Sequence, residues 1–143
     1  MGEMPGFVEK LVRPRAAAVV RAASAEEVAD LLRGARRHGF SVTPRAAATS
    51  GYGGSVPVAG GVVLDLTLLN RIRETDEEAM TVLAEAGVVW NDLEKELRDR
   101  GLALRTYPSS APSSTVGGWV AEGGSGIGAF AYGHLVESLA GLE

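Results

Sequence analysis

The chain has 143 residues, a net charge of −4 and no cysteine. Its length supports one ordinary domain, and 45% hydrophobic residues allow a buried core. The lack of a dense basic patch argues against nucleic acid or anionic membranes as partners. The lack of cysteine excludes disulfides, thiolate nucleophiles and cysteine metal sites, and no apolar run reaches transmembrane length.

Met1 to Arg15 is mixed and weakly patterned. Ala17 to Arg21 is a short Val-containing run that reads as a strand. Ser24, three residues before Glu27, has capping-box spacing and opens a helix. Val28, Leu31, Leu32 and Ala35 share one face of it. Gly39 ends the helix, with His38 in its last turn. Phe40 to Thr43 is the next strand, and this order favours a right-handed parallel unit. Val62 to Leu66 is a third strand. Leu68 to Arg73 reads as a turn or short helix, Glu74 to Glu78 as an acidic solvated link, and Met80 to Ala86 as a strand. Trp90, Leu93 and Leu97 mark a second amphipathic helix, closed by Gly101. Leu102 to Arg105 reads as a brief strand, Tyr107 to Ser114 as an ordered loop, and Ser138 to Glu143 as the start of another strand. The fold class is α/β: a small, mostly parallel sheet with both helices packed on it.

Two stretches carry the functional signal. Pro44 to Gly54 follows a strand and is almost free of side chains larger than a methyl or hydroxyl, Arg45 and Tyr52 aside. Small residues let backbone N–H groups close on an anion, and Thr49 and Ser50 add hydroxyls, as in a pyrophosphate cradle. Thr115 to Gly126 has the same character, with Trp119 and Val120 implying a packed setting. The two loops are expected to converge on one long ligand, at the carboxyl ends of the strands where open α/β sheets bind.

The pattern Pro44-Arg45-Ala46-Ala47-Ala48-Thr49-Ser50 before Gly53-Gly54, then Val63-Leu64-Asp65-Leu66, Glu85-Ala86-Gly87-Val88, Thr115-Val116-Gly117-Gly118, Tyr132-Gly133 and Gly141-Leu142-Glu143 resembles the FAD-linked oxidases of the vanillyl-alcohol oxidase type. Within them it resembles most the group of the glycolate oxidase D-subunit and D-lactate dehydrogenase. The likeness runs from about Ala18 to Glu143. It implies the N-terminal subdomain of an FAD-binding fold, with the second subdomain and the substrate-capping domain absent.

The resemblance implies FAD contacts from Arg45, Ala46, Ala47, Ala48, Thr49, Ser50 and Gly53 in the first loop. From the second region it implies Pro108, Ser109, Thr115, Gly117, Gly118, Gly123, Gly124, Ser125, Gly126 and Ile127. Relatives usually carry glycine where Ala46, Ala47 and Ala48 stand, so these alanines either hold ordinary φ or weaken binding. Thr49 stands where some members attach flavin through histidine, so the FAD is expected to be non-covalent. No catalytic residue and no metal site is assigned; His134 and Asp65 read as structural.

The reaction the resemblance implies is oxidation of a small 2-hydroxy acid such as glycolate or D-lactate, in the complete protein. A partner chain or oligomer covering the truncated face belongs to the same expectation, as does a cytoplasmic location. The alternative is a non-catalytic flavin- or nucleotide-binding or interaction module. A third reading, a relative of the flavin subunits of molybdenum hydroxylases, fits the Arg45 to Ser50 run less well.

Overall fold

The computed structural model describes residues 15–143, so the reading of Met1 to Pro14 lies outside the described residues. The chain forms two compact units. One runs to Arg45 and takes in Ser50–Leu66; the other holds Ala46–Thr49 and Thr67–Glu143.

In the first unit, strands β1 (Ala18–Arg21), β2 (Val42–Arg45) and β3 (Val62–Asp65) form a parallel sheet in the order β1-β3-β2. β3 is central, and its Val63 and Leu64 are both buried, as a strand covered on two faces requires. β2 lies two residues later than its sequence pattern suggests, because pairing with β3 fixes its register as Val42↔Val62 through Arg45↔Asp65. Pro44, which has no N–H, is accommodated because β2 is an edge strand.

Helix α1 (Ala25–His38) starts as its sequence predicts. Ser24 Oγ accepts from the Glu27 N–H at 3.3 Å, and the Glu27 carboxylate accepts from the Ala23 N–H at 2.8 Å. Gly39 ends it in the left-handed conformation. Ala35, near the middle of the apolar stripe, is buried; Leu32, at its margin, is exposed. Asp65 pairs with Arg21 (Nε–Oδ2 3.0 Å), which is a structural role at the carboxyl edge of the sheet.

The second unit begins with an antiparallel hairpin of β4 (Ile72–Asp76) and β5 (Thr81–Ala84). The turn and acidic link expected here are corrected. The charged residues occupy the solvent side of a strand whose Ile72 packs inward beside Val82 and Ala84. The strand's charge hid it, since only pairing with β5 buries its apolar residue. At the hairpin turn, Asp76 Oδ1 accepts from Glu78 N–H (3.0 Å) and Ala79 N–H (2.8 Å), and Met80 is exposed with φ +55.

Helix α2 (Trp90–Asp99) buries Trp90, Leu93 and Leu97. Its apolar face, expected on the parallel sheet, lies in the second unit's own core with Val88, Ala111, Trp119 and Leu135. Leu102 to Arg105 forms no strand; Leu102 and Leu104 pack on that core without a ladder partner. The stretch expected as a second loop contains helix α3 (Val116–Glu122). Trp119 on α3 meets Trp90 on α2 edge to face, with ring centroids 5.2 Å apart and planes at 88°. Two further short helices follow, α4 (Ala129–Tyr132) and the 3₁₀ turn Leu135–Ser138. The expected strand from Ser138 does not form, since no neighbouring strand pairs with it among the described residues.

Glu85, just after β5, has a side chain only 10% exposed, facing both Arg71 and Arg73. Burial by itself would raise its pKa. The Arg71 N–H and the guanidinium groups of Arg71 and Arg73 outweigh that and hold the carboxyl below the ordinary glutamate range. A lowered folded-state pKa contributes stability that is present above the unfolded pKa and lost as pH falls through the folded one. Denaturant midpoints across an acid pH series should therefore fall for the native chain, and Glu85→Gln should flatten that limb. Separately, Met80→Gly should raise stability by about 1 kcal/mol in the same unfolding assay, because it relieves a left-handed residue bearing a Cβ.

Candidate functional site

Arg45 is the last residue of β2 and is exposed. Beyond it the ladder stops. The backbone N–H groups of Ala46, Ala47, Ala48, Thr49 and Ser50 donate to no acceptor among the described residues. The chain is left-handed at Ala48, with φ +54, while Ala46 and Ala47 hold ordinary φ. Of the three alanines, one therefore carries the strain, at about 1 kcal/mol. Ser50 Oγ accepts from the Tyr52 N–H at 3.3 Å, leading into Gly53 at φ +81.

Ala46–Thr49 belong to the same compact unit as residues 115–127, whereas Arg45, Ser50 and Gly53 belong to the other. The structure thus gathers one part of the sequence-derived set, Ala46 to Thr49, Pro108, Ser109 and Thr115 to Ile127, within a single unit.

The second region divides by what its backbone already does. Val116 N–H donates to Val88 O and Gly117 N–H to Ala86 O, both at 2.8 Å. Gly117 is needed for packing, since a Cβ there would lie 2.6 Å from Ala86 Cβ. Gly123 N–H donates to Val120 O (3.0 Å) and Gly124 N–H to Trp119 O (3.3 Å), closing α3. A Cβ on Gly124 would lie 2.0 Å from Trp119 Nε1, so this glycine makes room for the indole. Ile127 exchanges backbone bonds with Tyr107 at 2.9 and 3.1 Å. The Thr115 carbonyl accepts from Trp90 Nε1 and from Trp119 N–H, each at 3.1 Å. The buried Pro108 accepts from Ala111 N–H at 3.0 Å.

Gly117, Gly123, Gly124 and Ile127 are therefore explained by packing and capping. The N–H groups of Gly118, Ser125 and Gly126 make no bond among the described residues, and the hydroxyl-bearing Thr49, Ser109 and Ser125 are exposed. Nothing local in the sequence separates these two sets, because both are rich in small residues. The helix could have been found from the Trp119-Val120-Ala121 run, which is too apolar for a linker.

The remaining donors suit an anion. They include no carboxylate or imidazole that would act as a base. His134 is exposed and starts the Leu135–Ser138 turn, its N–H donating to Glu137 Oε1 at 3.2 Å, a structural role. Among the described residues no group of three His, Asp or Glu side chains is arranged to hold a metal ion. A set of backbone donors beside small side chains fits the diphosphate of a dinucleotide cofactor.

The comparisons agree with that chemistry. Over 126 residues the chain is 32% identical to glycolate oxidase subunit GlcD of Bacillus subtilis (strain 168), covering 88% of this chain and 27% of that protein. Over 121 residues it is 36% identical to a D-lactate dehydrogenase of Anaerostipes hadrus, covering 85% of this chain and 25% of that one. Among solved structures, an alkyldihydroxyacetonephosphate synthase matches with a TM-score of 0.76 at 30% identity, over 83% of this chain and 23% of that chain. The 6-hydroxy-D-nicotine oxidase of Arthrobacter nicotinovorans matches with a TM-score of 0.72 at 30% identity, over 83% and 25% of the respective chains. The chain thus spans about a quarter of the length of the relatives it matches. A family model described as an FAD binding domain matches residues 16–143. The chain belongs to that family, the FAD-binding domain of FAD-linked oxidoreductases, with FAD as its cofactor.

Proposed function

We propose that this chain holds FAD non-covalently through backbone donors, as the N-terminal part of an FAD-binding domain, in a protein that oxidises a small 2-hydroxy acid. The observation that carries the reading is the run of unengaged N–H groups from Ala46 to Thr49, in the same compact unit as those of Gly118, Ser125 and Gly126. The hydroxyls of Thr49, Ser109 and Ser125 add donors at the same loops. Arg45, Ser50 and Gly53 extend the first loop.

When bound, FAD supplies the hydride acceptor. The first loop has no histidine for covalent attachment, Thr49 standing at that position, and the chain has no cysteine. The hydroxy-acid substrate is supported by the two relatives named for glycolate and D-lactate. None of the described loop residues is assigned a part in proton transfer. Among the described residues no helix is long and apolar enough to cross a membrane. A cytoplasmic location and a partner chain or second copy beside this unit complete the proposal.

Titration of the 143-residue protein with FAD, read by flavin fluorescence, should show saturable binding weaker than about 1 µM, or about −8 kcal/mol. Many of the donors lie on exposed loops, and affinity depends on burying the ligand. Absence of saturable binding would overturn the reading, and a sub-micromolar constant would show that the exposed site is sufficient. Ala48→Gly should stabilise the chain by about 1 kcal/mol. It should change FAD affinity by less than about threefold, because the loop already holds the left-handed turn with alanine in place.

A further inference from the structure

We propose that Glu85 is a positioning residue for the flavin site, holding the Thr115–Gly118 segment in place through the turn that follows it; this rests on the flavin-binding reading above. Glu85 is fastened to the start of the hairpin twice. Its N–H donates to Arg71 O at 3.0 Å, and its Oε2 accepts from Arg71 N–H at 2.8 Å. Arg71 Nε approaches Oε1 at 3.3 Å, and Arg73 Nε donates to Oε1 at 2.7 Å. Arg73 sits at a register shift between Ile72 and Glu74, the kind of irregularity that redirects a side chain.

The next three residues are a seat. Gly87 N–H donates to Leu69 O at 2.7 Å, and Val88 N–H donates to Glu85 O at 3.1 Å. The seat's own carbonyls point the other way, Ala86 O accepting from Gly117 N–H and Val88 O from Val116 N–H. Gly117 rests against Ala86 so closely that a Cβ there would lie 2.6 Å from the alanine's. Any movement of Ala86 is therefore passed to Gly117, and through it to the unengaged N–H of Gly118. Glu85, its side chain largely covered, ties this seat to the hairpin by both its backbone and its carboxylate. All of these residues lie in one compact unit.

The test compares the native chain with Glu85→Gln, which keeps the shape but presents an amide to converging donors. Amide hydrogen exchange at Val116 and Gly117 should quicken by about tenfold, while exchange at Leu93 and Leu97 in the α2 core stays within about twofold. The FAD dissociation constant should rise by about tenfold, one hydrogen bond's worth. Unchanged exchange at Val116 and Gly117 would overturn the proposal. So would a uniform rise across the unit, which marks general destabilisation, or an unchanged FAD constant beside quickened exchange. If Glu85→Gln does not fold, Arg73→Gln removes one guanidinium from an exposed side chain and should give the same pattern at smaller amplitude. A native chain that takes up no FAD would sink the flavin reading, while the exchange data would still decide whether Glu85 holds the segment.

Discussion

The edge-to-face contact of Trp90 and Trp119 is the constraint on which the second unit depends. The two rings come from helices α2 and α3, which are separated by a loop rich in Pro and Ser. Aromatic pairs of this geometry add to the burial of two large apolar surfaces. Trp90 also spends its indole N–H on the Thr115 carbonyl, fixing the residue before α3. The glycines after α3 follow from the same ring: Gly124 lies where a Cβ would strike the indole nitrogen, and Gly126 lies against Tyr107 O and the indole's outer edge. Small residues that read as a ligand loop are thus partly the imprint of a tryptophan.

That double use explains why the binding signal in this chain is compressed into so few donors. Close packing and anion binding both ask for small residues and exposed backbone, and the sequence spells them alike. They separate once the N–H groups are followed to their acceptors. The N–H groups of Val116, Gly117, Gly123, Gly124 and Ile127 are engaged within the fold, while those of Ala46 to Ser50, Gly118, Ser125 and Gly126 have no acceptor among the described residues. Family membership supplies the cofactor, and hydrogen-bond accounting separates the N–H groups that the fold engages from those with no acceptor among the described residues.

The first loop holds a left-handed turn on a residue that carries a Cβ. Ala48 keeps a left-handed φ that glycine would adopt without steric conflict. The surrounding pairing of β2 and β3 fixes where the loop begins, since Leu66 N–H donates to Arg45 O at 2.8 Å at the end of the ladder. Strain of this size is tolerated when neighbouring structure over-determines the turn.

The sequence by itself determined the elements whose signals are local. Ser24 and Glu27 set the start of α1, Gly39 its end, and the Val62 to Asp65 run the central strand, because capping bonds and apolar periodicity act between near neighbours. Its motifs also pointed to the FAD-linked oxidases, and the family match agrees. Only the tertiary structure decided the rest. β4 exists because β5 pairs with it, α2 turned to Trp119 for its core, and Leu102 to Arg105 stayed irregular for want of a partner strand. The Glu85 clamp on Arg71 and Arg73 and the seat beneath Gly117 join residues distant in sequence. Such contacts depend on which surfaces meet, and no local pattern encodes that meeting.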